Sequence, residues 1–339
     1  MKEENIPEII IQHAILHILD YNTGINVSSE EELDLSDTPT YGYLLKHIYH
    51  LLEDSAKQSV VFEEDSTFRS TIMDYKRSQI DFHDCSISLL NLLDAWFKEH
   101  PDLQSLDVIF LDYTLNTHPY FGMLVLENSE AWTHATDNAE GKLINRIVKA
   151  HTVLPSASKK ISTYALISLE DGGIDLSDKL KTGASKDPHI LTQVLQCTQA
   201  KSADEVVKIV KKAVSEAAEQ HGELPAVSLS RAKKFIQDNY QTSDELNPKE
   251  LGEEIFHEQP ELQEVYNSII EEAVLPEKVE MPEPAVKRNS RQKMKTDTGI
   301  EISAPVEYFS NPDYMEIERH PDGTITIELK NIAKITQRI

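Results

Sequence analysis

Leu106-Asp107-Val108-Ile109-Phe110-Leu111-Asp112-Tyr113 and Tyr120-Phe121-Gly122-Met123-Leu124-Val125-Leu126-Glu127 are the stretches that decide the fold. Each is a short, nearly continuous apolar run rich in β-branched and aromatic residues. Thr114–Pro119 between them suits a connection, so the pair reads as a β-hairpin. Working outward, Ile9-Ile10-Ile11-Gln12-His13-Ala14-Ile15-Leu16-His17-Ile18-Leu19 is another strand. With a period of two, Ile9, Ile11, His13, Ile15, His17 and Leu19 share one face. Ile10, Gln12, Ala14, Leu16 and Ile18 share the other, which predicts a strand covered on both sides. Thr40 to Ala56 places Leu44, Leu45, Ile48, Leu51 and Leu52 on one helical stripe. Cys85 to Phe97 does the same with Leu89, Leu90, Leu92, Leu93 and Trp96, and Pro101 ends that helix. Ile144–Val153 and Thr163–Leu169 are further strand candidates. Strands and helices do not alternate regularly, so residues 1–185 are predicted as an α+β domain, an antiparallel sheet with flanking helices.

From residue 186 the period becomes helical, and residues 186–274 read as a helical section. Ser202-Ala203-Asp204-Glu205 matches a capping box, with Val206, Ile209, Val210, Ala213, Val214 and Ala217 as the stripe behind it. Leu229–Tyr240 is amphipathic, and Pro248 and Pro260 each stand at an expected first helical position. Residues 275–286 are acidic and proline-rich and read as an extended linker. A small C-terminal β unit follows within residues 287–339: Gly299–Ser303, Met315–Arg319 and Thr324–Leu329, the last two joined by the tight turn His320-Pro321-Asp322-Gly323.

Charge is spread very unevenly. The total is −25, yet residues 1–140 hold 7 Lys/Arg against 26 Asp/Glu, whereas residues 141–217 hold 12 against 8. Residues 218–286 return to 5 against 16, and residues 287–339 hold 9 against 8. Such a chain repels polyanions on average, so any nucleic-acid contact is confined to the two less acidic zones. Only two cysteines occur, Cys85 and Cys197, without a CxxC or Cys/His cluster. That pattern argues against a disulfide scaffold or a structural zinc module. The N-terminus fits neither a signal peptide nor a membrane span, and the chain reads as soluble and intracellular.

Candidate sites follow from the charge pattern. Lys287, Arg288, Arg291, Lys293 and Lys295 place five cations in nine residues. Contact with about five phosphates would give a slope of roughly −4 to −5 in log K against log salt. The alternative is a solubilising hinge paired with the acidic segment before it. Lys208, Lys211 and Lys212 lie at i, i+3 and i+4 on one helix, away from its apolar stripe, and read more readily as an ordinary solvated face than as a binding patch. His47 and His50, like His13 and His17, are spaced as metal-ligand pairs but lack an HExxH signature and fit ordinary packing. Pro321-Asp322 and Glu328-Leu329-Lys330 imitate the PD…ExK signature of metal-dependent nucleases. Asp322 and Glu328 bracket one predicted strand, however, and stand roughly 20 Å apart, too far to share an ion. No glycine-rich phosphate loop or nucleophile elbow occurs, so no catalytic residue, metal or cofactor is expected.

The order of landmarks along the chain resembles the bacterial 37-kDa nucleoid-associated protein family (NdpA-like). The resemblance lies in the Ile-rich strand with His13 and His17, and in Phe62-Glu63-Glu64-Asp65-Ser66-Thr67-Phe68. It continues in Val108-Ile109-Phe110-Leu111, Gly122-Met123-Leu124-Val125-Leu126 and Lys295-Thr296-Asp297-Thr298-Gly299-Ile300. Pro321-Asp322-Gly323-Thr324-Ile325-Thr326-Ile327 closes it. It spans nearly the full length and contains no catalytic fingerprint. The resemblance implies a cytoplasmic bacterial protein of the nucleoid that binds DNA with little sequence preference and forms an oligomer. The expectation is therefore a non-enzymatic DNA-binding protein acting through Lys287, Arg288, Arg291, Lys293 and Lys295, helped by Lys208, Lys211 and Lys212. The acidity leaves two alternatives open: a scaffold that reaches the nucleoid through protein partners, and a metal-dependent nuclease.

Overall fold

The hairpin at residues 106–127 lies in the middle of a seven-stranded sheet. The computed structural model describes residues 7–21, 24–99, 106–139, 142–180, 190–309 and 311–336. It divides into two units, Met1–Leu52 with Lys57–Ala200, and Glu53–Ala56 with Lys201–Ile339. In chain order the first unit runs β1 (Ile9–Asp20), β2 (Ile25–Val27), α1 (Thr38–Leu52), β3 (Gln58–Val61), α2 (Thr67–Lys76) and α3 (Phe82–Lys98). It continues with β4 (Leu106–Leu115), β5 (His118–Glu127), β6 (Ser129–Ala139), β7 (Lys142–Val153), β8 (Thr163–Ser168), β9 (Gly173–Ser177) and α4 (Ile190–Leu195). The sheet order is β2-β1-β4-β5-β8-β9-β3, with every neighbouring pair antiparallel. This is the α+β class expected.

Helices cover both faces of the sheet, which is why its central strands are apolar on both sides. Val108, Phe110, Phe121 and Met123 pack with Phe68 and Ile72 of α2, Leu89 and Leu93 of α3, and Leu191 of α4. Ile109, Leu111, Tyr113 and Leu124 pack with Leu44, Ile48 and Leu51 of α1. The connection from β4 to β5 is tighter than the six residues anticipated. It is Asn116-Thr117, both at positive φ, the conformation a two-residue hairpin turn demands. A bulge between Ile11 and His13 corrects the face assignment of β1. The extra residue reverses the alternation, so Ile9 and Ile11 join Ala14 beside α1 while Ile15 and Leu19 join the opposite core. The strand candidate at 144–153 also differs from expectation. As β7 it pairs with β6 in a separate two-stranded ribbon.

The second unit runs α5 (Ala203–Gln220), α6 (Pro225–Tyr240), β10 (Glu245–Leu246), α7 (Pro248–Ile255), α8 (Pro260–Glu272), β11 (Val279–Glu280) and α9 (Glu283–Arg288). After these come β12 (Arg291–Lys295), β13 (Glu301–Pro305), α10 (Val306–Phe309), β14 (Met315–Arg319) and β15 (Ile325–Leu329). Its core joins Val206, Val210 and Val214 of α5 to Ile236 of α6, Leu251 of α7 and Tyr266 and Ile270 of α8. Two boundaries differ from the sequence reading. The expected border at 185/186 lies outside the described residues, and α4 beyond it belongs to the first unit. The segment 275–286 contains β11, paired with β10, and buries Met281, Ala285 and Val286 in the second unit's core. Proline there starts α9 instead of holding an extended tether. Among the described residues, no helix is long and apolar enough to cross a membrane.

Candidate nucleic-acid interface

Four elements of the second unit bring cations together. The Ser202 hydroxyl accepts the Glu205 N–H while the Glu205 carboxylate accepts the Ser202 N–H, so the capping box anticipated for α5 is formed. The helix buries its valine–alanine stripe, which leaves Lys208 and Lys212 exposed and Lys211 half-buried at the edge. On β12 the Gln292 amide donates to the Ala226 carbonyl of α6 at 2.7 Å, so that face turns inward. Because strand side chains alternate, Arg291, Lys293 and Lys295 all project outward. Of the five clustered cations, Lys287 and Arg288 end α9, whereas Arg291, Lys293 and Lys295 form the outward face of a hairpin strand.

Lys233 of α6, which charge clustering overlooked, connects the two patches. Its ammonium donates to the Arg291 carbonyl at 3.2 Å, and burial lowers its pKa. Partial burial, then the neighbouring Lys233 charge, pushes the Lys211 ammonium down to about 8, with Asp204 opposing and Arg288 adding to the shift. Lys211, Lys233, Arg288 and Arg291 therefore act on one locality. The signal that could have pointed to Lys233 is the cluster Arg231, Lys233, Lys234 inside an otherwise acidic zone.

Acidic neighbours answer part of this charge. Arg288 pairs with Asp204 and also donates to Ser55, Lys287 pairs with Glu283 at 2.8 Å, and Lys212 pairs with Glu216 at 3.3 Å. Lys295 meets Glu301, its partner across the hairpin, at 3.3 Å. Exposed pairs of this kind contribute about 0–1 kcal/mol each, so a phosphate can displace the carboxylate.

Catalytic-looking groupings elsewhere are occupied with structural contacts. Asp322 accepts the Thr324 N–H and hydroxyl in the β14–β15 turn, while Glu328 lies far along β15 opposite Glu316, with Lys330 3.6 Å away. The spacing that disqualified a shared ion is thus present in the fold. His17 Nε2 lies 3.1 Å from the Ser86 hydroxyl, but His17 Nδ1 accepts the Ser29 N–H. That bond places the imidazole proton on Nε2, so the ring cannot take a proton from Ser86. Asp81, His83 and Asp84 cluster at the start of α3, where Asp81 is the N-cap accepting the Asp84 N–H. His47 is buried, and burial, His50 and Lys46 push its pKa down to about 4.

Fold and surface together define an acidic α+β protein of two units, with a localised cationic surface on the second. Residues 15–336 match the family described as nucleoid-associated protein YejK, and the chain belongs to that family. A comparison with curated protein sequences finds no match.

Proposed function

We propose that this nucleoid-associated protein binds the DNA backbone directly, without sequence preference and without catalysis, in the bacterial cytoplasm. The observation that carries this reading is the convergence of Lys211, Lys233, Arg288 and Arg291, continued by Lys293 along β12. A lysine whose pKa is lowered first by partial burial and then by a neighbouring cation gains when an anion arrives, because phosphate relieves both its incomplete solvation and the repulsion. Lys208 and Lys295 extend the same charge outward, whereas Lys287 and Lys212, each held by a carboxylate one helical turn away, play a smaller part.

Fluorescence anisotropy of a labelled duplex across a salt series tests this. The wild type is expected to show a slope of roughly −4 to −5, and each lost contact lowers its magnitude by about 1. Combined Lys211→Gln, Lys233→Gln, Arg291→Gln and Lys293→Gln substitutions should leave little binding. Unchanged affinity and slope in that variant would sink the direct-contact reading. The strongly acidic residues 1–140 favour a second reading, a scaffold recruited by basic protein partners. Chromosomal association that persists in the variant and survives nuclease treatment supports it.

A further inference from the structure

Among the described residues, β14 and β15 pair only with each other. The Lys330 N–H donates to the Tyr314 carbonyl and the His320 N–H to the Thr324 carbonyl, both at 2.9 Å. Peptide groups alternate in direction along a strand, so the N–H and C=O of Ile325, Ile327 and Leu329 point away from β14. No other described residue donates to these groups or accepts from them. β15 is therefore an open edge, on which a further strand can form.

The two faces of this hairpin differ. Ile317, Ile325, Ile327 and Leu329 share one, where Ile325 and Leu329 are 51% and 49% exposed. Met315 on the same face is buried, and Arg319 donates to the Gly222 carbonyl at 3.0 Å. On the other face Glu316 stands directly opposite Glu328, and Glu318 opposite Thr326. Like charges so placed repel across a ladder. Lys330, just past β15, pairs with both Glu316 and Glu328, and His320 meets the Thr326 hydroxyl at 2.7 Å. No cation among the described residues pairs with Glu318. Residues 311–336 as a whole carry Asp313, Glu316, Glu318, Asp322 and Glu328 against Arg319, Lys330 and Lys334. An added strand would thus set apolar side chains beside Ile325, Ile327 and Leu329, and cations on the face of Glu328, in alternation. Glu318 lies two strands away, about 10 Å, within the joint reach of a lysine and a glutamate. Duplex DNA is repelled by that face, and a second copy would bring its own three glutamates to it. We propose that β15 takes up an extended basic segment of a partner protein, alternating cationic and apolar residues, as a third strand. This edge gives the scaffold reading, on which the inference rests, a site and a partner chemistry, and the DNA contact is independent of it.

Anisotropy of a short labelled peptide alternating lysine and isoleucine, titrated with the full chain, tests this. Saturable binding is expected, at least ~10-fold tighter than for a peptide alternating glutamate and isoleucine. A peptide with the same lysines and isoleucines in two blocks should be weaker by a similar factor. Glu318→Lys with Glu328→Lys should weaken the alternating lysine peptide at least ~10-fold. Ile327→Pro removes an outward N–H and no bond to β14, so peptide affinity should fall while duplex-DNA binding is unchanged. If either variant misfolds, methylating alternate backbone nitrogens of the peptide decides, because that blocks strand addition and leaves its charge intact. No saturable binding, equal binding of the glutamate or block peptide, or indifference to backbone methylation overturns the proposal. Chromosomal association that survives nuclease treatment judges the scaffold reading separately.

Discussion

His17 and His47 show how the same residue type is used in two ways on the two sides of one sheet. His17 is held by Ser29 and Ser86, whereas neither His47 nitrogen has a hydrogen-bond partner among the described residues. Burial first, then His83 for one and His50 and Lys46 for the other, lowers both from 6.5 to about 4. The unfolded chain therefore binds more protons than the native one between those values. Stability is intact above pH 6.5 and declines as pH falls towards 4, by up to roughly 3 kcal/mol for each histidine. His47→Leu removes one of these without breaking a hydrogen bond, so its urea midpoint should fall less than the wild type's between pH 7 and pH 5. An equal fall would show that His47 is not buried neutral. Neither behaviour is legible in the helical spacing that first drew notice to His47, because that spacing is shared by a metal ligand and a packed ring.

At the scale of elements, α7 and α8 meet through a contact that only glycine permits. A Cβ at Gly252 would stand 2.3 Å from the ring of Tyr266, which is buried and donates to the Pro248 carbonyl at 2.7 Å. The Tyr266 ring cannot retreat without giving up that bond. Gly252→Ala should therefore destabilise the second unit by about 1–3 kcal/mol despite alanine's better helix propensity. Chemical denaturation gives the value, and a stabilised variant would contradict the packing. Helices with strong caps and stripes were readable beforehand, α5 above all, since Ser202 and Glu205 act within one turn. The β1 bulge was not, because Gln12 bulges only in relation to the strand beside it. Nor was the fate of 275–286, whose prolines and acids mark a linker equally well as a helix start.

Across the whole molecule, stability and DNA affinity should respond to salt in opposite directions. A net charge of −25 repels itself, and screening relieves that strain. Raising ionic strength from low to physiological should add about 1 kcal/mol, or roughly 2–4 °C in thermal midpoint. Over the same range duplex binding should weaken steeply. Calorimetry beside the anisotropy series checks both, and a midpoint that drops with salt would count against the repulsion argument. The opposition arises because the carboxylates are spread widely while the cations of Lys211, Lys233, Arg288 and Arg291 are concentrated.

Taken alone, the sequence determined the α+β class, the central hairpin, the main helices and the two zones where cations outnumber or match acids. Those features depend on periodicity and composition, which are local. Tertiary structure alone decided that Lys211 and Lys233 stand beside Arg288 and Arg291, that β12 turns its cations outward, and that β6 and β7 leave the sheet. Each depends on which distant segment packs alongside, and neither hydrophobic period nor charge count records that.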